Sequence, residues 1–75
     1  MSMAYAMISA EIGCEAEVVK ELKSISGIQE AYQVYGVYDI IIKIEAETMN
    51  ELKELISLKI KKLEKIRSIF TLICV

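Results

Sequence analysis

Tyr35-Gly36-Val37-Tyr38-Asp39-Ile40-Ile41-Ile42 is the stretch from which the fold of this 75-residue chain is read. Gly36 can take a positive φ angle and so predicts a corner. A tight hairpin at Gly36-Val37 is expected to join a strand from Gln29 to Tyr35 with a strand from Tyr38 to Ala46. The second strand carries Tyr38, Ile40, Ile42 and Ile44 on one face. Its other face still shows Ile41 between Asp39 and Lys43, so neither side reads as fully wet. The corner also brings together a glycine, an aromatic ring and a lone carboxylate. Asp39 offers the acceptor that an ammonium group needs, and a small polar ligand could be held there.

Upstream, Ala4 to Ile12 alternates, with Ala6, Ile8, Ala10 and Ile12 on one face and Tyr5, Met7, Ser9 and Glu11 on the other. This predicts a first strand broken at Gly13. Glu15 and Glu17 then suit the first turn of a helix, where the dipole favours carboxylates. Val18, Val19, Leu22 and Ile25 form the apolar side of that helix, which Ser26-Gly27 is expected to end. Downstream, Thr48 and Glu51 have capping-box spacing, and Met49, Leu52, Ile56, Ile60 and Leu63 make the stripe of a second helix. Arg67 to Val75 closes the chain as a strand, with Ile69, Thr71 and Ile73 on one face and Phe70, Leu72 and Cys74 on the other.

The order βαββαβ predicts an α+β, ferredoxin-like fold: a four-stranded antiparallel sheet in the order 4-1-3-2 with two helices on one face. Helices can cover only one face of this sheet. The other, lined by Met7, Ile41 and either the Ile69 or the Phe70 set, is expected to meet the sheet of a second copy. Composition agrees: 55% of the residues are hydrophobic, above the usual roughly 45–50%. A lone chain of this size buries only about 60% of its unfolded surface. Residues 1–75 read as one domain with no linker and no room for a DNA-binding domain.

A formal charge of -2 supplies no overall field for a phosphate backbone. Lys59, Lys61, Lys62, Lys65 and Arg67 crowd the end of the second helix, where cations are ordinarily favoured. RNA-recognition domains share the strand order but need stacking aromatics in their central strands, and the interior of the third strand, Ile40 to Ile44, has none. The apolar start of the chain is interrupted by Ser9 and Glu11, so it reads as a strand rather than a signal or membrane span, and a cytoplasmic protein is expected. Cys14 and Cys74 should lie at opposite ends of the sheet as free thiols. With no histidine, no metal-ligand spacing and no glycine-rich phosphate loop, neither an enzyme nor a metal or cofactor site is expected.

Three segments carry a family resemblance: Ile25-Ser26-Gly27-Ile28-Gln29-Glu30-Ala31, Gly36-Val37-Tyr38-Asp39-Ile40-Ile41-Ile42-Lys43-Ile44, and Ile66-Arg67-Ser68-Ile69-Phe70-Thr71-Leu72-Ile73. In this order and spacing, from Ala4 to Val75, the chain resembles the effector-binding RAM domain (regulation of amino acid metabolism) of Lrp/AsnC transcription regulators. The resemblance implies a dimeric α+β barrel with sheets face to face, often built into octamers, that binds an amino acid effector in clefts between dimers. It assigns the cleft to Gly36, Tyr38 and Asp39, with Thr71 nearby. Family members usually carry another threonine at the position of Ile69, so one polar contact is missing. Family regulators carry a helix-turn-helix ahead of this module, and the chain resembles the stand-alone members. Such a protein would not contact DNA directly; it would sense an amino acid in transcription regulation, or act as a ligand-free adaptor co-assembled with full-length regulators.

Without the resemblance, Asp39 reads first as a turn carboxylate held by neighbouring N–H groups, and Tyr35 and Tyr38 first as strand-packing residues.

Overall fold

A computed structural model describes residues 1–75. The elements follow the expected order: β1 (Ser2–Ala10), α1 (Glu15–Lys23), β2 (Ile28–Gln33), β3 (Ile40–Ala46), α2 (Met49–Glu54), which continues as a π-helical turn over Leu55–Ile60, and β4 (Ile66–Ile73). The sheet is antiparallel throughout, in the order β2-β3-β1-β4. This is the ferredoxin-like βαββαβ arrangement.

The core is one layer between this sheet and the helices. Ala4, Ala6, Ile8 and Ala10 of β1, Ile40, Ile42 and Ile44 of β3, and Ala31 of β2 point into it. Val18 and Leu22 of α1, with Leu52, Ile56 and Ile60 of the second helix, cover them. Three alanines on the central strand keep the sheet surface shallow where the helices lie, while the isoleucines of β3 fill the space beside it. No polar side chain is buried there.

The helix ends follow from local chemistry. Gly13, at φ 87°, turns the chain out of β1, and its N–H donates to Glu15 Oε1 at 3.1 Å. Thr48 Oγ1 accepts from the Glu51 N–H at 3.1 Å and caps α2 as its spacing predicts. Gly27, at φ 103°, is required twice over. A Cβ there would run into the Leu55 side chain and stand 3.2 Å from the Glu45 carbonyl oxygen. Its own carbonyl accepts from the Glu45 N–H at 2.8 Å, which ties the α1–β2 turn to the end of β3.

Several expectations need correction. The tight hairpin at Gly36-Val37 is instead a wider loop over residues 34–39. The Val34 N–H donates to the Asp39 carbonyl at 2.7 Å and closes the loop at its base, while the Asp39 N–H leaves β2 and donates to the Ile8 carbonyl at 2.9 Å. Tyr35 therefore lies outside β2, fully exposed, and Tyr38 precedes β3. Helix α1 stops at Lys23, short of Ser26-Gly27. Ile12 does not join the core face: it follows the end of β1 and is 88% exposed.

The strand register also decides what the sequence left open. Ile69 pairs with Ile8 and Thr71 with Ala6, so that set faces the helices, while Phe70 pairs with Met7 and Leu72 with Tyr5 on the open face. Cys74 donates its N–H to the Met3 carbonyl at the start of β1, whereas Cys14 follows the end of that strand. The two free thiols are at opposite ends of the sheet, as expected.

Candidate functional site

The loop of residues 34–39 stands at one end of the open sheet face. Its Tyr38 ring turns onto that face and stacks on Phe70 of β4, with centroids 6.4 Å apart and planes inclined by 27°. Tyr38 therefore does not share the face of Ile40, Ile42 and Ile44, because it sits in the loop and escapes the strand alternation. Between loop and sheet lies a groove of about 390 Å³, lined by Met7, Val34, Tyr35, Gly36, Val37, Tyr38, Ile40 and Ile41. Gly36, at φ 151°, shapes the loop, and a Cβ there would come no nearer than 3.9 Å to the Tyr38 carbonyl oxygen.

Asp39, which follows Tyr38, is half-buried and does not itself line this groove. Its Oδ2 accepts from the Ala10 N–H at 3.1 Å, where β1 shifts register between Ser9 and Ala10 against β4. That bond holds the backbone at an irregularity of the sheet, the structural use of a turn carboxylate. One oxygen is thus engaged and the other has no partner within the chain.

Two of the four residues assigned by resemblance, Gly36 and Tyr38, line the groove, and Asp39 follows directly after them. Thr71 is not brought to it. It sits opposite Ala6 on the helix-facing side of β4, away from the face on which Phe70 meets Tyr38. Ile69, abreast of Ile8, packs against the core.

Met7, Val34, Val37, Ile41 and the Tyr38–Phe70 stack escaped the sequence reading as site residues. The signal for Met7 and Ile41 was already there, since both were expected on the uncovered face. Nothing local marks Phe70, whose face depends on pairing with β1.

Farther along the open face the character changes. Lys43 Nζ lies 3.9 Å from Glu30 Oε2 and 3.8 Å from Glu45 Oε2. The Tyr32 hydroxyl donates to Glu30 Oε1 at 2.6 Å, and that hydrogen bond, with the carboxylate charge, raises the Tyr32 pKa above its ordinary 10.0. The face thus has an apolar part around Met7, Ile41, Phe70 and Leu72 and a charged part around Lys43.

The sequence matches the family described as the Lrp/AsnC ligand binding domain over residues 3–75. No curated protein matches the chain. Among solved structures, the fold is similar to that of FFRP-DM1, at 36% identity, TM-score 0.96 and complete coverage of both chains. It is also similar to the hypothetical protein PHS023 from Pyrococcus horikoshii, at 36% identity and TM-score 0.95, covering 100% of this chain and 90% of that one. AsnC from E. coli is 25% identical with a TM-score of 0.89; 99% of this chain overlies 50% of that protein. With a family match across nearly its whole length and the βαββαβ sheet in place, the chain belongs to the Lrp/AsnC ligand binding domain family.

Proposed function

We propose that this protein is an oligomeric module that binds an amino acid and acts in the regulation of transcription and amino acid metabolism without contacting DNA itself. The observation that carries this reading is family membership over residues 3–75. The groove lined by Gly36 and Tyr38, two of the residues to which the resemblance assigns the effector, supports it. Residues 1–75 hold no helix-turn-helix, because β2 and β3 separate the two helices. A formal charge of -2 is equally unsuited to a phosphate backbone.

Dimerisation through the open sheet face is part of the proposal. Tyr5, Phe70 and Leu72 are 38%, 48% and 49% exposed there, an apolar surface that a second identical sheet would remove from water. The groove lies at one end of this same face, so a neighbouring copy would complete it. The role is binding rather than catalysis, a reading supported by membership of a family described as a ligand binding domain. No helix is long and apolar enough to cross a membrane, and the cytoplasm is the proposed compartment.

Thermal-shift measurements on the whole protein against the common amino acids test the reading. A ligand that binds only the folded state raises the melting temperature once its concentration exceeds its dissociation constant. A rise with at least one amino acid is expected. No rise with any would favour a second reading, a ligand-free adaptor that co-assembles with full-length Lrp/AsnC regulators. Three features of this chain favour that alternative: Asp39 already holds the Ala10 N–H, position 69 is isoleucine, and Thr71 faces the helices.

A further inference from the structure

The helix side of the molecule holds a groove of its own. It measures about 500 Å³ and runs between α1 with the turn after it and the π-helical turn with the segment after that. Its apolar lining is Leu58 together with Ile25 and Leu63, which pack against the core. Lys59 and Lys62 line it from the second helix and Glu21 from α1. Leu58 lies in the π-helical turn, where the Lys61 N–H donates to the Ile56 carbonyl at 3.1 Å. Ile56 and Ile60 are buried, and Leu58 between them is left 62% exposed. Turns of this kind frequently mark functional sites.

The segment that supplies the two lysines is charged unlike the rest of the chain. Lys59, Lys61, Lys62, Lys65 and Arg67 face one carboxylate among them, Glu64, so residues 59–67 carry a formal +4 in a chain of net -2. A helix dipole draws cations to the last turn, which accounts for Lys59 but not for Lys65 and Arg67 beyond the helix end. None of the five is ion-paired, since both salt bridges of the chain belong to Lys43. A face-to-face pair of sheets leaves the helix side of each copy outward, so the groove stays open to another protein.

We infer that this groove docks a partner protein through an amphipathic helix with leucine-class side chains on one face and carboxylates along one flank. The apolar face covers Ile25, Leu58 and Leu63, and the carboxylates meet Lys59 and Lys62, on the flank away from Glu21. A nucleic acid suits it less. Phosphates are spread along both strands, so they cannot avoid Glu21, and they gain nothing from three apolar side chains. The surface is separate from the sheet face and from the loop groove, and its use requires no amino acid.

Fluorescence anisotropy of the intact protein with labelled synthetic peptides tests the inference. One peptide is an amphipathic helix with a leucine stripe and glutamates along one flank; a second carries lysines in their place, and a third is a scrambled form of the first. The glutamate peptide is expected to bind with a dissociation constant about tenfold or more below those of the other two, rising with ionic strength. Lys59→Glu combined with Lys62→Glu should reverse the preference between glutamate and lysine peptides. Leu58→Asn, at an exposed position outside the core, should keep the wild-type circular dichroism and weaken the glutamate peptide by about tenfold. Equal binding of the scrambled peptide would reduce the attraction to charge alone and overturn the inference, as would equal binding of the lysine peptide or no binding by any. Tighter binding of a DNA duplex than of the glutamate peptide would overturn it in favour of a phosphate backbone.

Discussion

Asp39 and Ala10 are 29 positions apart in the chain, yet the carboxylate of one accepts the backbone N–H of the other at 3.1 Å. The bond fastens the loop after β2 to the register shift at the end of β1. A residue proposed to meet a ligand thus also holds the sheet. Its two oxygens allow both uses, because a carboxylate has lone pairs left after accepting one donor.

The two uses separate by mutation. Asp39→Ala should lower stability by about 1–2 kcal/mol by leaving a part-buried N–H without its acceptor, a fall in melting temperature of roughly 4–8 °C per kcal/mol for a domain of this size. Asp39→Asn keeps an acceptor oxygen and should restore most of that stability while still losing any amino-acid-dependent thermal shift. Equal thermal shifts in wild type and both variants would take Asp39 out of the ligand site.

Gly27 and Gly13 both have positive φ, at 103° and 87°, but only Gly27 is crowded. Gly13→Ala meets nothing within 4 Å, so its cost is the backbone conformation alone, about 1–2 kcal/mol. Gly27→Ala adds the clash with Leu55, and overpacking of that kind costs roughly 1–3 kcal/mol more. Urea denaturation of the two variants should rank them in that order. The reverse order would mean that the π-helical turn carrying Leu55 yields at little cost.

Tyr32 provides the pH dependence. Its hydrogen bond to Glu30, reinforced by the carboxylate charge, favours the neutral phenol and raises its pKa above 10.0. The associated stabilisation is therefore fully present below the unfolded value and is lost as pH rises through the higher folded value. Because Tyr32 lies on the surface, the effect on stability is small and the titration itself is the better readout. Phenolate absorbance should show a late transition that disappears in Tyr32→Phe and moves to lower pH in Glu30→Gln. A Tyr32 that ionises no later in wild type than in Glu30→Gln would show that the hydrogen bond does not persist in solution.

Leu72 tests the proposed dimer. It is 49% exposed on the open face beside Tyr5, and in a face-to-face pair Leu72→Glu would bury an added charge, one from each copy, between the two sheets. Sedimentation velocity should then show a wild-type dimer at micromolar concentration and a folded monomer for Leu72→Glu. The charge in Leu58→Glu, at a helix position 62% exposed in the single chain, should not change the assembly. A Leu72→Glu protein that still sediments as a dimer would move the interface to another surface.

Element order, helix caps and the alternating core of β1 and β3 were legible in the chain because each depends on neighbours a few residues away. Thr48 caps α2 with the expected partner Glu51, and Glu15 and Glu17 open α1 as the helix dipole favours. The loop at Gly36 was not legible in its true form, since the bonds that shape it run from Asp39 to Ile8 and Ala10, far away in sequence.

The side assignment of β4 shows the same division most clearly. Its residues alternate by the geometry of any strand, so the sequence alone determined that Ile69, Thr71 and Ile73 oppose Phe70 and Leu72. Both sets contain large apolar side chains, and nothing local says which set turns towards the helices. Only pairing with β1, Ile69 beside Ile8 and Phe70 beside Met7, decided it. That pairing placed Phe70 under Tyr38 and turned Thr71 away from the groove, because a residue's face is set by the register of its neighbour and not by its own identity.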